Sequence, residues 1–222
     1  MHERECHVWK KDAQSEFNRW AETYDRSILN HLLFHRCYLK FIEYILRYYP
    51  QQQPIKLLDV GCGTGTFASM LVESDLQVSP TGLDMAQRMC QLARVKSQQI
   101  GLEQSMNFVT GDSEHLPFPE NSFHMVTCSN SFHHYPHQDK VVREMFRVLR
   151  PGGRVVIIDG FRDNAIGWFI FDVCVTRVEK SVHHCSALEM FNTLTAAGFD
   201  QIEQEKFGFW VPALATTGKK PL

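Results

Sequence analysis

The chain has 222 residues, 23 lysines and arginines against 25 aspartates and glutamates, and 44% hydrophobic residues. That is enough apolar material for one packed α/β domain, and the near balance of charge gives no electrostatic basis for nucleic acid or an anionic membrane as an obligatory partner. Seven cysteines without a CxxC pair fit a reduced, cytoplasmic protein, the charged start MHERECHVWKKD does not read as a signal peptide, and no run of 18 apolar residues offers a membrane span.

In chain order, Phe17, Trp20, Ala21 and Tyr24 recur at helical spacing and predict a lid helix over 13–24. A second helix is predicted over 32–48, with either Leu32, Leu39, Ile42 and Leu46 or Leu33 and Phe41 facing inward, and Gln51-Gln52-Gln53-Pro54 ends it. The apolar run Ile55 to Val60 then breaks into Gly61-Cys62-Gly63-Thr64-Gly65, after which Phe67, Ala68, Leu71 and Val72 fall at helical spacing. Alternate glycines remove Cβ atoms where a backbone must bend and a ligand must come close, and the helix that follows turns its first amides outward. This is the pattern of a nucleotide-binding turn.

The spacing narrows the nucleotide. A dinucleotide fingerprint needs Gly or Ala where Thr66 stands, and no Lys-Ser or Lys-Thr pair closes the turn for a triphosphate. A second strand, Val78 to Leu83, ends in Asp84, placed to accept both ribose hydroxyls. A nucleoside without phosphates fits best. Met85 opens a helix to Ile100 and serves either as a thioether on the base or as core filler.

A third strand, Met106 to Thr110, runs into Gly111-Asp112-Ser113, and a fourth, Phe123 to Ser129, runs into Asn130-Ser131-Phe132-His133-His134. In a sheet whose ligand lies across the carboxyl ends of the strands, these loops meet the ligand. Pro136 starts a helix with Val141, Val142, Met145, Phe146 and Leu149 inward; Pro151-Gly152-Gly153 stops it before a fifth strand, Arg154 to Asp159. Trp168, Phe169 and Phe171 mark 162–184 as either a substrate cap or a core-packing helix. Ser186 and Glu189 form a capping box for a helix ending at Gly198, followed by predicted strands Ile202 to Phe207 and Phe209 to Leu214 and a loose tail from Thr216. The pairs His133-His134 and His183-His184 lack the i,i+4 or CxxC spacing of zinc ligands, so no metal is expected.

Taken together, LDVGCGTG, GLDM, GDSEHLPFPENSFHMVTCSNSFHHYPH and LRPGGRVVIID, over roughly Ile55 to Gly160, resemble the successive motifs of class I S-adenosylmethionine-dependent methyltransferases. They are most similar to the small-molecule branch, type 11, that includes ubiquinone and menaquinone biosynthesis methyltransferases. The resemblance implies an α/β, Rossmann-like fold: a mostly parallel seven-stranded sheet with a C-terminal antiparallel strand and helices on both faces. It implies one domain over 1–222, with lid helices (13–50), a cofactor core (55–160), a substrate-cap insertion (162–184) and a C-terminal helix and hairpin (186–215).

It further implies S-adenosylmethionine as cofactor, S-adenosylhomocysteine as product, and a cofactor-binding set of Tyr24, Asp59, Gly61, Cys62, Gly63, Gly65, Asp84, Met85, Asp112, Ser113 and Ser129. WAETYD resembles the element that closes over the methionine end, with Tyr24 as a contact or as a pin to the core, and Asp112 would accept from the adenine amine. His134, ahead of His133, would position the acceptor or take its proton. SNSF lacks the Pro-Pro of nucleic-acid amino-methyltransferases. The implied activity is in-line methyl transfer to a small acceptor, aromatic or lipid-like, by a monomer or homodimer. A catalytically silent S-adenosylmethionine-binding partner or assembly protein is the alternative.

Overall fold

A computed structural model describes residues 3–24, 28–50, 53–175, 182–208 and 211–222. Strands β1 (Ile55–Val60), β2 (Val78–Asp84), β3 (Asn107–Thr110), β4 (Phe123–Ser129) and β5 (Leu149–Gly160) are parallel. The strand β7 (Ala213–Lys219) lies antiparallel between β5 and the edge strand β6 (Asp200–Phe207), giving the order β3-β2-β1-β4-β5-β7-β6. The helices are α1 (Glu3–Tyr24), α2 (Ile28–Tyr48), α3 (Thr66–Glu73), α4 (Gln87–Gln99), α5 (Gln138–Val148), the short α6 (Ala165–Gly167) and α7 (Ala187–Ala197). A π-helical stretch, Trp168–Val175, continues α6.

The central strands are apolar on both faces because helices cover both. On one side Val141, Val142, Met145 and Val148 of α5 pack with Leu58, Val60 and Val126; on the other, Phe41, Tyr44 and Ile45 of α2 pack with Leu57, Phe67 and Met125. Each fully buried side chain of this size contributes about 1.5 to 3 kcal/mol. Strand order runs outward from β1 in one direction and from β4 in the other, and at that switch point the carboxyl ends of the strands leave a crevice. No helix among the described residues is long and apolar enough to cross a membrane.

Three expectations need correction. Along α2 the inward stripe is Cys37, Phe41, Tyr44 and Ile45, while Leu39 and Leu46 are exposed. The last strand among the described residues is Ala213–Lys219; Phe209 and Trp210 of the anticipated strand Phe209 to Leu214 lie outside the described residues, and of the anticipated loose tail, Thr216 to Lys219 is strand while only Pro221 and Leu222 are exposed. Its polarity hid it: Thr216 is reached by the Gln204 amide (3.2 Å) and Thr217 pairs with the Tyr48 hydroxyl (3.2 Å), so both are satisfied inside. Finally, Pro151-Gly152-Gly153 lies within β5, the helix having ended at Val148. The capping box is as expected: Ser186 Oγ accepts from the Glu189 amide, the Glu189 carboxylate accepts from the Ser186 amide, and Gly198 closes α7 in a left-handed conformation.

Candidate active site

The turn after β1 is bound to the end of β2 by backbone. The amides of Gly61 and Cys62 both donate to the Leu83 carbonyl (2.8 and 3.0 Å), and the Gly63 amide donates to Asp84 Oδ2 (2.9 Å). Asp84 Oδ1 accepts from the Ala86 amide (2.8 Å), so one carboxylate is clamped between the glycine turn and the start of α4. Burial pushes the Asp84 carboxyl up, and the two amide bonds pull it back only in part.

Two glycines of the turn have different jobs. A Cβ at Gly61 would collide with Ser131 Oγ, so this residue is small to let β4's loop approach. A Cβ at Gly63, whose φ is 53°, would meet nothing within 4 Å. It faces a cleft open to solvent, lined together with Gly61, Asp84, Met85, Ser129 and His134.

The cleft floor is Gly61, Gly63, Asp84, Met85, Gly111 and Ser113, and its far wall is Ser129, Asn130, Ser131 and His134. Lys10, Gln14 and Phe17 of α1 form the roof. The roof is tied down along its length: Trp9 Nε1 donates to the His134 carbonyl (3.0 Å), Lys10 Nζ to Asp112 Oδ2 (2.7 Å), Gln14 Nε2 to the Met85 carbonyl (3.0 Å), and Phe17 stands edge-on to His134 (4.8 Å between centroids). α1 therefore covers the cleft through residues ahead of WAETYD, and the Tyr24 side chain lies outside the described residues.

Of the other residues anticipated for the cofactor, four stand behind the wall rather than on it. Asp59 is buried between β1 and β4, accepts from Thr127 Oγ1 (2.8 Å), and is pushed by burial up to about 7. Cys62 packs toward Gly82 and the Cys90 thiol, whose hydrogen bond, ahead of burial, raises its pKa. The missing Cβ of Gly65 makes room for Phe108, and Asp112 is held by Lys10 beneath the roof.

His133, the second candidate acid–base residue, is also off the cleft wall, in a cluster that sequence did not anticipate. Its backbone amide donates to Asp159 Oδ2 (2.9 Å) and its Nδ1 lies 2.6 Å from Asp159 Oδ1. Burial works to raise the Asp159 carboxyl, and the His133 ring and its hydrogen bond, followed by His184 and the Gly160 amide, together more than reverse this, holding it at about 2. The rings of Phe17, His134, His133, His184 and Phe171 form a continuous series from α1 to the π-helix, with successive centroids 4.8, 4.1, 4.3 and 4.8 Å apart.

Donor atoms of His133, Asp159 and His184 lie within 4.8 Å of one another. The His133 and His184 rings are only 16° from parallel, so their in-plane lone pairs run side by side rather than converge on an ion. Within the cap, Trp168 and Phe169 are 54% and 55% exposed, whereas Phe171 turns inward onto Gly160, where a Cβ would stand 2.6 Å from its ring. Lys10 and Gln14 carried no motif, and Asp159 and His184 were read only as the last residue of LRPGGRVVIID and as half of a histidine pair; packing brings Asp159 and His184 together with His133.

The family described as "Methyltransferase domain" matches residues 58–157. A demethylmenaquinone methyltransferase from Oceanobacillus iheyensis is 32% identical over 178 residues, covering 71% of this chain and 74% of that protein. One from Listeria welshimeri is 32% identical over 156 residues, covering 68% of this chain and spanning 64% of the relative's length. In fold the chain is similar to a Haemonchus contortus phosphoethanolamine N-methyltransferase 2 solved with phosphomonomethylethanolamine and S-adenosylhomocysteine, with a TM-score of 0.68, 17% identity, and 82% and 52% of the two chains covered.

Proposed function

This chain belongs to the methyltransferase family, and from that premise we propose that it transfers a methyl group from S-adenosylmethionine to a small, quinone-like aromatic acceptor, leaving S-adenosylhomocysteine. The observation that carries this is the clamp of Asp84 against the Gly63 amide at the edge of an open cleft, with no side chain at Gly63 to fill it. A clamped carboxylate keeps lone pairs for the two ribose hydroxyls, and the bare Gly63 backbone lets the amino-acid end pass.

Met85 and Ser113 border the adenine end, with Asp112 supplying its carboxylate once Lys10 shares it; Ser129 and His134 face the methyl end. Asp59, Cys62 and Gly65 shape the turn from behind, and Tyr24 is proposed as a contact from the end of α1. S-adenosylmethionine supplies a sulfonium-bound methyl whose transfer neutralises charge, a change that a dry, apolar crevice favours. The protein's main task is then to hold the acceptor in line, which is worth roughly 7 to 11 kcal/mol.

The aromatic acceptor is supported by the demethylmenaquinone methyltransferases among the relatives and by the inward rings of Phe171 and His184. The enzyme so described is cytoplasmic, monomeric or homodimeric, and has no nucleic-acid partner. Calorimetry with S-adenosylhomocysteine and with NAD tests the cofactor: the first is expected to bind and the second not. A labelled-methyl assay on 1,4-naphthohydroquinone tests the acceptor class. Binding of NAD in preference to S-adenosylhomocysteine would overturn the proposal.

A further inference from the structure

We propose that Lys10 of α1 reads the base of the bound nucleoside, its ammonium donating to a ring nitrogen of adenine while Asp112 beside it takes the exocyclic amine. This rests on the methyl-transfer reading above and adds to it a residue from outside the cofactor motifs. Lys10 lines the cleft together with Gly111 and Ser113, the loop after β3 that borders the proposed base end. Its Nζ lies 2.7 Å from Asp112 Oδ2 and 3.0 Å from Glu114 Oε2. An ammonium has three hydrogens and no acceptor, so two carboxylate partners leave one donor over. The lysine side chain keeps 19% of its surface exposed, and the space it borders is the cleft, so the third donor serves a ligand there.

The amine is set in place before any ligand enters. Trp9 Nε1 donates to the His134 carbonyl (3.0 Å) and Gln14 Nε2 to the Met85 carbonyl (3.0 Å), which fixes on the cleft the turn of α1 that carries Lys10. Asp112 is fixed in turn, its Oδ1 accepting from the Glu114 amide (3.0 Å). Glu114 is buried, and its Oε1 has no hydrogen-bond partner among the described residues. Two carboxylates against one amine keep the lysine charged: burial works to lower its pKa, and the bonds to Asp112 and Glu114 more than reverse this. A donor held so firmly loses little further freedom on binding.

A donor and an acceptor 2.7 Å apart are the complement of one edge of adenine. The exocyclic amine of adenine is a donor flanked on both sides by a ring nitrogen that only accepts, N1 on one edge and N7 on the other. An amine bonded to Asp112 therefore brings one of these nitrogens toward Lys10. Asp112 alone tests for the amine; Lys10 tests for the nitrogen beside it. A base with a keto oxygen in place of the amine would set an acceptor against the carboxylate and is refused by the same pair.

The test pairs a change in the protein with a change in the ligand, read by calorimetry. The ligands are S-adenosylhomocysteine and its 1-deaza and 7-deaza analogues, in each of which a C–H replaces one ring nitrogen. The wild type is expected to bind one of the two analogues about 10- to 100-fold more weakly than the parent, the scale of a hydrogen bond to a charged group. Lys10→Met is expected to bind the parent more weakly by a similar factor and to bind that analogue as well as the parent, because the partner of the lost nitrogen is already gone. Lys10→Met with Glu114→Gln, which leaves no buried carboxylate uncompensated at Glu114, is expected to show the same indifference and carries the test should the single variant fail to fold. A wild type that binds both analogues like the parent overturns the proposal. So does a Lys10→Met protein, single or double, that still discriminates as the wild type does, since the lysine would then only fasten the roof. Failure of the wild type to bind S-adenosylhomocysteine would instead remove the methyl-transfer reading.

Discussion

Lys10 on α1 places its amine 2.7 Å from Asp112 and 3.0 Å from Glu114, fastening the roof of the cleft to the loop after β3. Glu114 is buried and its Oε1 has no hydrogen-bond partner among the described residues, where Lys10 is its nearest compensation and Lys140 stands farther off at 3.9 Å. Lys10→Met is expected to speed S-adenosylhomocysteine release and to destabilise the fold by about 1 to 3 kcal/mol, the penalty of a buried charge left unpaired. Adding Glu114→Gln returns the stability without returning the slow release. Urea titrations and stopped-flow on the single and double variants check both halves; a double variant no more stable than the single one would show that Glu114 is not what Lys10 compensates.

Asp84→Ala removes the proposed ribose acceptor and also frees the Gly63 and Ala86 amides. The expected loss in S-adenosylhomocysteine affinity is ~2 to 4 kcal/mol, for charge-assisted bonds inside a buried site. Unchanged affinity by calorimetry in a folded variant would take Asp84 out of the site.

Gly61 and Gly63 separate structure from binding within one turn. Ala at Gly61 collides with Ser131, so it is expected to lower stability through packing, whereas Ala at Gly63 meets open space and is strained only by its positive φ, about 1 to 2 kcal/mol. Gly63→Val is then expected to be folded yet unable to bind, its side chain standing in the cleft. Thermal unfolding with and without S-adenosylhomocysteine distinguishes them: normal ligand stabilisation of Gly63→Val would mean the ligand lies elsewhere.

What was legible in the sequence was local or periodic. The glycine turn and Asp84 announce themselves because a bent backbone and a strand-end acid restrict residue choice at fixed spacing, and the capping box of α7 is a four-residue pattern. The Asp159–His133 contact is not legible, since its partners are 26 positions apart, one in β5 and one in the turn after β4, and neither is the Lys10–Asp112 bond, across 102 positions. β7 escaped because Thr216 and Thr217 read as surface until Tyr48 and Gln204 are seen to satisfy them. In the cap, three aromatics looked alike, and only the bare Cα of Gly160 selects Phe171 for the interior.

That selection makes a testable contrast. Trp168 is more than half exposed, so Trp168→Ala is expected to change stability by less than about 0.5 kcal/mol. Phe171 lies on His184 (4.8 Å) and above Gly160, so Phe171→Ala is expected to destabilise by about 1 to 3 kcal/mol and to depress turnover per folded molecule. Stability and turnover measured on the same samples decide whether Phe171 serves the acceptor site as well as the core; turnover unchanged after correction for unfolding confines it to the core.

The ring series also dictates how the fold responds to acid. His184 has its pKa lowered from 6.5 to about 4, chiefly by burial and then by His133. The unfolded chain thus binds this proton at a higher pH than the folded one, so stability rises with pH across the window between those values. The contribution is complete above pH 6.5 and is lost as pH falls toward 4, amounting to about 2 to 3 kcal/mol. Asp159, lowered from 3.8 to about 2, contributes in the same sense but later, its share disappearing only as pH falls from 3.8 to 2. His124, lowered first by burial and then by Arg150, adds to the upper window from the opposite end of the sheet. His184→Phe keeps a ring in the stack and deletes one titration, so urea stability measured between pH 6.5 and 4.5 is expected to fall less steeply in the variant, by close to one proton's worth of slope. Parallel slopes would mean that the folded chain protonates His184 as readily as the unfolded one, and that the stacked pair accommodates two charges.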